Sequence, residues 1–128
     1  MVIWHAKKTK KKSGGRIRPH RKKRKFELGR VSILTKLGEE EKRIKIRTKG
    51  GGEKIKAITA QWVNVHVNGK TQKVKILTVV ENPANPHYVR RNLITKGAIV
   101  KTELGLVRIT SRPSQHGILN GVLIEKSK

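Results

Sequence analysis

"KRIKIRTKGGGEKIKAITAQWVNVHVNGKTQKVKILTVVE" spans residues 42–81. Apolar residues recur in it with a period of two, the spacing of strands rather than of helices. Ile44 and Ile46 fall on one face, with Arg43, Lys45 and Arg47 on the other. Residues 42–49 are therefore expected to form a half-buried strand with a basic outer face. "KGGGEK" (49–54) predicts a flexible loop. The run at 54–67 is long for one strand and predicts a bend or bulge near Thr59–Trp62. Asn68-Gly69 suits the tight loop of a hairpin. Beyond it, Val74 and Ile76 face away from Lys73 and Lys75.

The same period extends outward. Upstream, Val31, Ile33 and Thr35 alternate with Ser32, Leu34 and Lys36, and "LGEEEK" (37–42) is a charged turn. Downstream, "NPANPHYVRRNLITKG" (82–97) breaks the pattern with two Asn-Pro pairs. Pro86 is placed to open one short helix or turn near residues 86–92. Strands resume in "AIVKTEL" (98–104), "LVRITSR" (106–112) and "GILNGVLIEK" (117–126). Six to seven short strands with almost no helix predict an all-β fold. The expected form is a small closed antiparallel β-barrel of about six strands, because closure removes exposed sheet edges. No internal repeat is visible. The barrel is expected over residues 29–128, and residues 1–28 are expected to be a basic N-terminal extension, extended and disordered until a partner orders it.

Charge sets that extension apart. The chain carries 32 basic and eight acidic residues, a net +24. Thirteen of the bases and one acid, Glu27, lie in residues 7–30. Gly14-Gly15 and Pro19 exclude a helix there. Such a segment repels itself until a polyanion neutralises it. Nucleic acid is the leading partner. An anionic membrane surface is the rival, but neither an amphipathic helix nor a lipidation motif accompanies the charge. Lys22-Lys23-Arg24-Lys25 alone would also suit a nuclear-import signal or a solubilising tail.

Several function classes lose support. No apolar run reaches the roughly 18 residues of a membrane span. The basic N-terminus lacks an apolar segment after it, so it does not resemble a signal peptide, and its lysine, glycine and proline content does not resemble a transit peptide. Cysteine is absent, which excludes disulfides, thiolate metal sites and thiol catalysis. Aspartate is absent too, and the glutamates are scattered, so no acid/base pair is marked. His5, His20, His66, His87 and His116 show no metal-ligand spacing. "KGGGEK" lacks P-loop spacing, and Ser111 and Ser114 lack a nucleophile elbow. No metal or cofactor is expected. With one Phe, one Tyr and two Trp, the chain is short of rings for an aromatic stacking surface. Trp62 and Phe26 are expected in the core or at its edge, and Phe26 with Leu28 is expected to anchor the arm. Tyr88 is expected to pack the short helix. Trp4 suits either stacking on a base or plugging a pocket. Readout by shape and phosphate favours a folded RNA, whose crevices admit an extended arm.

Several motifs resemble one family. Trp4-His5 begins the match, and Lys10-x-x-Ser13-Gly14-Gly15 with "KKRKFELGR" (22–30) continues it. "IRTKGGGEKIKA" (46–57) and "VVENPANPHYVRRNLI" (79–94) keep the register. Over its whole length the chain is similar to the small-subunit ribosomal protein "eight-e" family of archaea and eukaryotes. The resemblance implies a structural rRNA-binding protein without enzymatic activity, with a barrel body, an arm entering the rRNA and neighbouring ribosomal proteins as partners. A cytoplasmic ribosome is the implied location, and a related assembly factor is the alternative. The length resembles archaeal members, which lack a long insertion found in eukaryotic ones. By matched position, the implied RNA contacts in the arm are Trp4, His5, Lys7, Lys8, Lys10, Lys11, Lys12, Ser13, Gly14, Gly15, Arg16, Arg18, His20, Arg21, Lys22, Lys23, Arg24, Lys25 and Arg30. In the body they are Lys49, Gly50, Gly51, Gly52 and Lys54 of the glycine loop, with Arg90 and Arg91.

Overall fold

Val63 and Val65, alternating with Trp62, Asn64 and His66, place one face of a strand in an apolar interior and the other in solvent. A computed structural model describes residues 3–5, 9–67 and 69–126. They divide into two compact units, residues 1–32 and 33–128.

In the first unit, β1 (Ile3–Trp4) pairs antiparallel with β2 (Leu28–Gly29). The chain between them makes a small hairpin, in which Ile17 N donates to Thr9 O at 2.8 Å and Lys10 bridges Arg16. A 3-10 turn, Lys25–Glu27, leads into β2.

Among the described residues the second unit holds nine strands. They are β3 (Thr35–Leu37), β4 (Lys42–Arg47), β5 (Glu53–Ala60), β6 (Trp62–Val67), β7 (Lys70–Glu81), β8 (Leu93–Ile94), β9 (Ile99–Thr102), β10 (Gly105–Ile109) and β11 (Asn120–Lys126). Five of them close a barrel in the order β10-β11-β6-β7-β9, and the other four form a sheet ordered β4-β5-β3-β8. The expected all-β barrel is thus present, with five strands rather than six. One of its seams is parallel: β11 runs alongside β6, with Asn120 opposite Asn64 and Val122 opposite His66. The bend expected near Thr59–Trp62 falls at Gln61, where the chain leaves β5 for β6 and so passes from one sheet to the other. β7 is 12 residues long. It serves two neighbours, pairing with β6 through Lys75 and with β9 from Ile76 onward. Register shifts after Ile76 and Val79 give it the curvature that closure needs.

The barrel interior is filled by Val63, Val65, Val74, Ile76, Val79, Val100, Val107 and Ile109, all buried. Each such side chain contributes roughly 1.5–3 kcal/mol on removal from water. Gly121 makes room for this packing, since a Cβ there would strike the Val107 side chain and stand 3.0 Å from Arg108 O. The turn expected at Pro86 forms α1 (His87–Arg90). A second four-residue turn of helix, α2 (Pro113–His116), was not anticipated. Gly117 ends it at φ +71° and lies against Ile55. Neither helix is long and apolar enough to cross a membrane.

Two expectations fail. Residues 30–34 form no strand, because pairing partners for this stretch exist only for residues 35–37, on β5 and β8. Ile44 is 37% exposed rather than half-buried. β4 pairs only with β5, and at this end of the sheet Ile44 and Ile55 reach solvent, while Ile46 is half-buried as expected.

Candidate nucleic-acid interface

Three groups of basic residues were expected to meet RNA. In the arm, Lys11 O accepts from Gly14 N at 3.1 Å, and Lys11 N donates to Gly15 O at 2.8 Å. Gly14 adopts φ +83°, a conformation that favours glycine, at the tip of the hairpin. A Cβ on Gly14 would meet nothing within 4 Å, and one on Gly15 would meet only Ser13 Oγ at 3.9 Å. Within the chain itself, then, Gly14 is set by backbone conformation and Gly15 leaves open space beside the backbone. Lys10, Lys11, Lys12, Ser13, Arg16, Arg18, His20, Lys22, Lys23, Arg24, Lys25 and Arg30 are all exposed around these turns. Lys7 and Lys8 lie outside the described residues.

Glu27 organises the second half of the arm. Its carboxylate accepts from Arg24 N at 3.0 Å and from Arg21 Nη2 at 2.5 Å. The Arg24 amide, then the Arg21 side chain, hold the Glu27 carboxyl below the usual glutamate range, against the opposing cost of desolvation. Arg21 also covers the Phe26 ring at 5.3 Å, and Lys23 covers the Trp4 ring at 5.3 Å. Phe26 is 59% exposed, so it lies neither in the core nor at its edge, where the sequence had suggested it would. Its ring faces a guanidinium, which water does not disfavour as it would an isolated apolar surface. His5 N donates to Glu27 O at 2.8 Å, and the His5 ring packs where a Cβ on Gly29 would sit.

In the body, Gly50 and Gly51 both adopt φ +84° at the tip of the β4–β5 ribbon. Thr48 closes the turn through its amide and hydroxyl, both donating to Gly52 O. Lys49 is exposed beside it, and Lys54 Nζ donates to Gln115 Oε1 at 3.1 Å, which steadies the ribbon against α2. Lys45 and Arg47, with Lys56 on β5, add cations along the ribbon that were not among the expected contacts. Arg90 ends α1 and Arg91 caps it, both exposed. Arg91 and the glycine tip are not neighbours. β8 begins at Leu93, opposite Lys36 of β3, and Lys36 in turn pairs with Thr59, toward the opposite end of β5 from Glu53, about 20 Å along the strand. Among the described residues no group of three His or Glu stands close enough to hold a metal ion.

The model of one protein family, described as Ribosomal protein S8e, matches residues 4–124. The chain belongs to that family. It is 52% identical over 128 residues to the small ribosomal subunit protein eS8 of Staphylothermus marinus, covering 98% of this chain and 100% of that one. To the eS8 proteins of Methanoregula boonei and Picrophilus torridus it is 50% identical, over 125 and 127 residues, again across nearly the full length of both chains. The relatives are archaeal, as the length suggested. The S8e family is one of ribosomal proteins rather than enzymes, and the resemblance drawn from Trp4-His5, the Ser13-Gly14-Gly15 turn and the later segments is correct.

Proposed function

We propose that this S8e chain is a structural constituent of the small ribosomal subunit that binds folded rRNA through phosphates and shape. The arm threads into the RNA, with Gly14 and Gly15 letting the backbone approach phosphates closely. The glycine tip of the ribbon and the Arg90-Arg91 pair touch the RNA at separate points. Neighbouring ribosomal proteins are its other partners, and the cytoplasmic ribosome is its location. No step of bond making is assigned to it, and no cofactor.

The observation that carries this reading is the state of the cations. Eight acids can neutralise at most eight of 32 bases one for one. Thirteen of the bases lie in residues 7–30 and seven on the β4–β5 ribbon, where glycines make the tight turns and the cations are, among the described residues and apart from Lys56, exposed. Cations displayed in this way release counterions when they meet phosphates. Two measurements test the proposal. Full-length protein should cosediment with mature small subunits at physiological salt; recovery only with precursor particles would indicate an assembly factor instead. The double substitution Gly14→Val with Gly15→Val should weaken small-subunit rRNA binding at least tenfold. Unchanged affinity would refute close backbone approach in the arm.

A further inference from the structure

We propose that the outer face of β6, β7 and β11 is a second RNA site, one that takes unpaired nucleotides by stacking a base on Trp62. It rests on the RNA-binding reading above and adds to it the class of RNA segment recognised. Trp62 was expected in the core or at its edge. It lies instead on the outward face of β6, half-buried, while the adjacent Val63 is fully buried within the barrel. The barrel is filled without the indole, so the packing of the interior does not account for its position.

Its surroundings match a nucleotide. Across the antiparallel pair Trp62 stands opposite Lys75, and Asn64 opposite Lys73. The Lys73 ammonium rests 5.2 Å from the centroid of the indole. Across the parallel seam Asn64 faces Asn120, with Asn64 Nδ2 donating to Asn120 Oδ1 at 3.2 Å. Each of these amides carries a second polar atom that this bond does not use, suited to the edge of a base. Arg43 also borders Trp62, but it is paired with Glu41 at 2.9 Å, so Lys73 and Lys75 are the cations counted for phosphate. Lys73 is exposed and held over the ring by a weak attraction. A base arriving on the indole displaces the ammonium, which can then bind the phosphate of the same nucleotide. The recess beside Trp62 has a volume of about 40 Å³, too small to enclose a base. The base therefore lies over the ring rather than entering a pocket. A duplex hides the faces of its bases, so this surface selects single-stranded, bulged or looped RNA.

The test uses the two-tryptophan composition. Full-length protein carrying Trp4→Phe has Trp62 as its sole indole. At low salt, an oligouridylate of about ten nucleotides, within the usual single-strand site sizes, should bind and quench its emission, whereas an RNA duplex of the same length should bind with little quenching. In the otherwise native chain, Trp62→Leu should weaken oligouridylate binding by about five- to a hundredfold, the range of one stacked base. Duplex affinity should stay within twofold, and Trp62→Phe should retain most of the oligouridylate affinity. Absence of oligouridylate binding, binding without quenching, or equal losses for both RNAs would each overturn the proposal. Retained affinity for folded small-subunit rRNA in those cases would leave the broader function standing, whereas its loss would remove both. The quenching measurement needs no substitution at Trp62, so it stands even if Trp62→Leu folds poorly.

Discussion

Asn82 is buried, and its side chain closes three polar groups at once. Its Nδ2 donates to Leu93 O at 3.0 Å, and its Oδ1 accepts from Ala84 N and Thr95 Oγ1 at 3.1 and 2.8 Å. Asn82→Ala should cost about 1–3 kcal/mol, the penalty of leaving a buried polar group unpaired, read as a fall in the urea midpoint. Gly121→Ala should cost a similar 1–3 kcal/mol by overpacking, because the new methyl meets Val107 in a filled interior. Glu27 gives a pH prediction. Its carboxyl is held below the ordinary value, so its contribution to the arm is complete above the unfolded pKa of about 4.3 and is lost as pH falls through the lowered one. The Arg24 amide resonance should report a midpoint below that of an ordinary glutamate, and Glu27→Gln should abolish the transition. At this scale the sequence was informative where conformation decided the residue. Gly14, Gly50 and Gly51 all adopt positive φ. It was silent where a partner decided it: nothing in the spacing of Arg21, Phe26 and Glu27 says that one guanidinium serves both.

Among the elements, β4 and β10 share a period but not a fate. Both alternate, yet Ile109 is 1% exposed and Ile44 is 37% exposed. Ile109→Ala should cost about 2–5 kcal/mol, the usual range for a filled core position. Ile44→Ala should cost under about 1 kcal/mol, because Ile44 is already exposed and little buried area is lost. Thermal denaturation of the two variants checks the contrast. Period two marks a strand but does not say whether anything covers its apolar face, which is why Ile44 was read as half-buried and Trp62 was placed in the core or at its edge. Residues 30–34 show the complementary failure, since their alternation is real and no neighbour offers them an edge. α2 was missed because four residues are too few to show a helical period, leaving Pro113 at its first position as the only signal.

For the whole molecule, the charge and the fold class were legible and the topology was not. Charge predicts strong salt dependence. If the arm and ribbon engage six to ten phosphates, rRNA affinity should fall roughly 10³–10⁵-fold between 50 and 200 mM salt, measured by filter binding. A shallow slope would mean that few of the cations reach phosphate. Strand count was readable from turns, but the seam between β6 and β11 was not, because it joins residues 56 apart in the chain through a pairing that no local signal encodes. That seam has a consequence for biosynthesis. Until β11 leaves the ribosomal exit tunnel, β6, β7, β9 and β10 can form only an open sheet with an unpaired edge at each end. The basic arm is synthesised before the barrel strands and carries its positive charge throughout that interval. A nascent chain arrested before Asn120 would therefore be a polycationic, edge-exposed species rather than a shortened barrel.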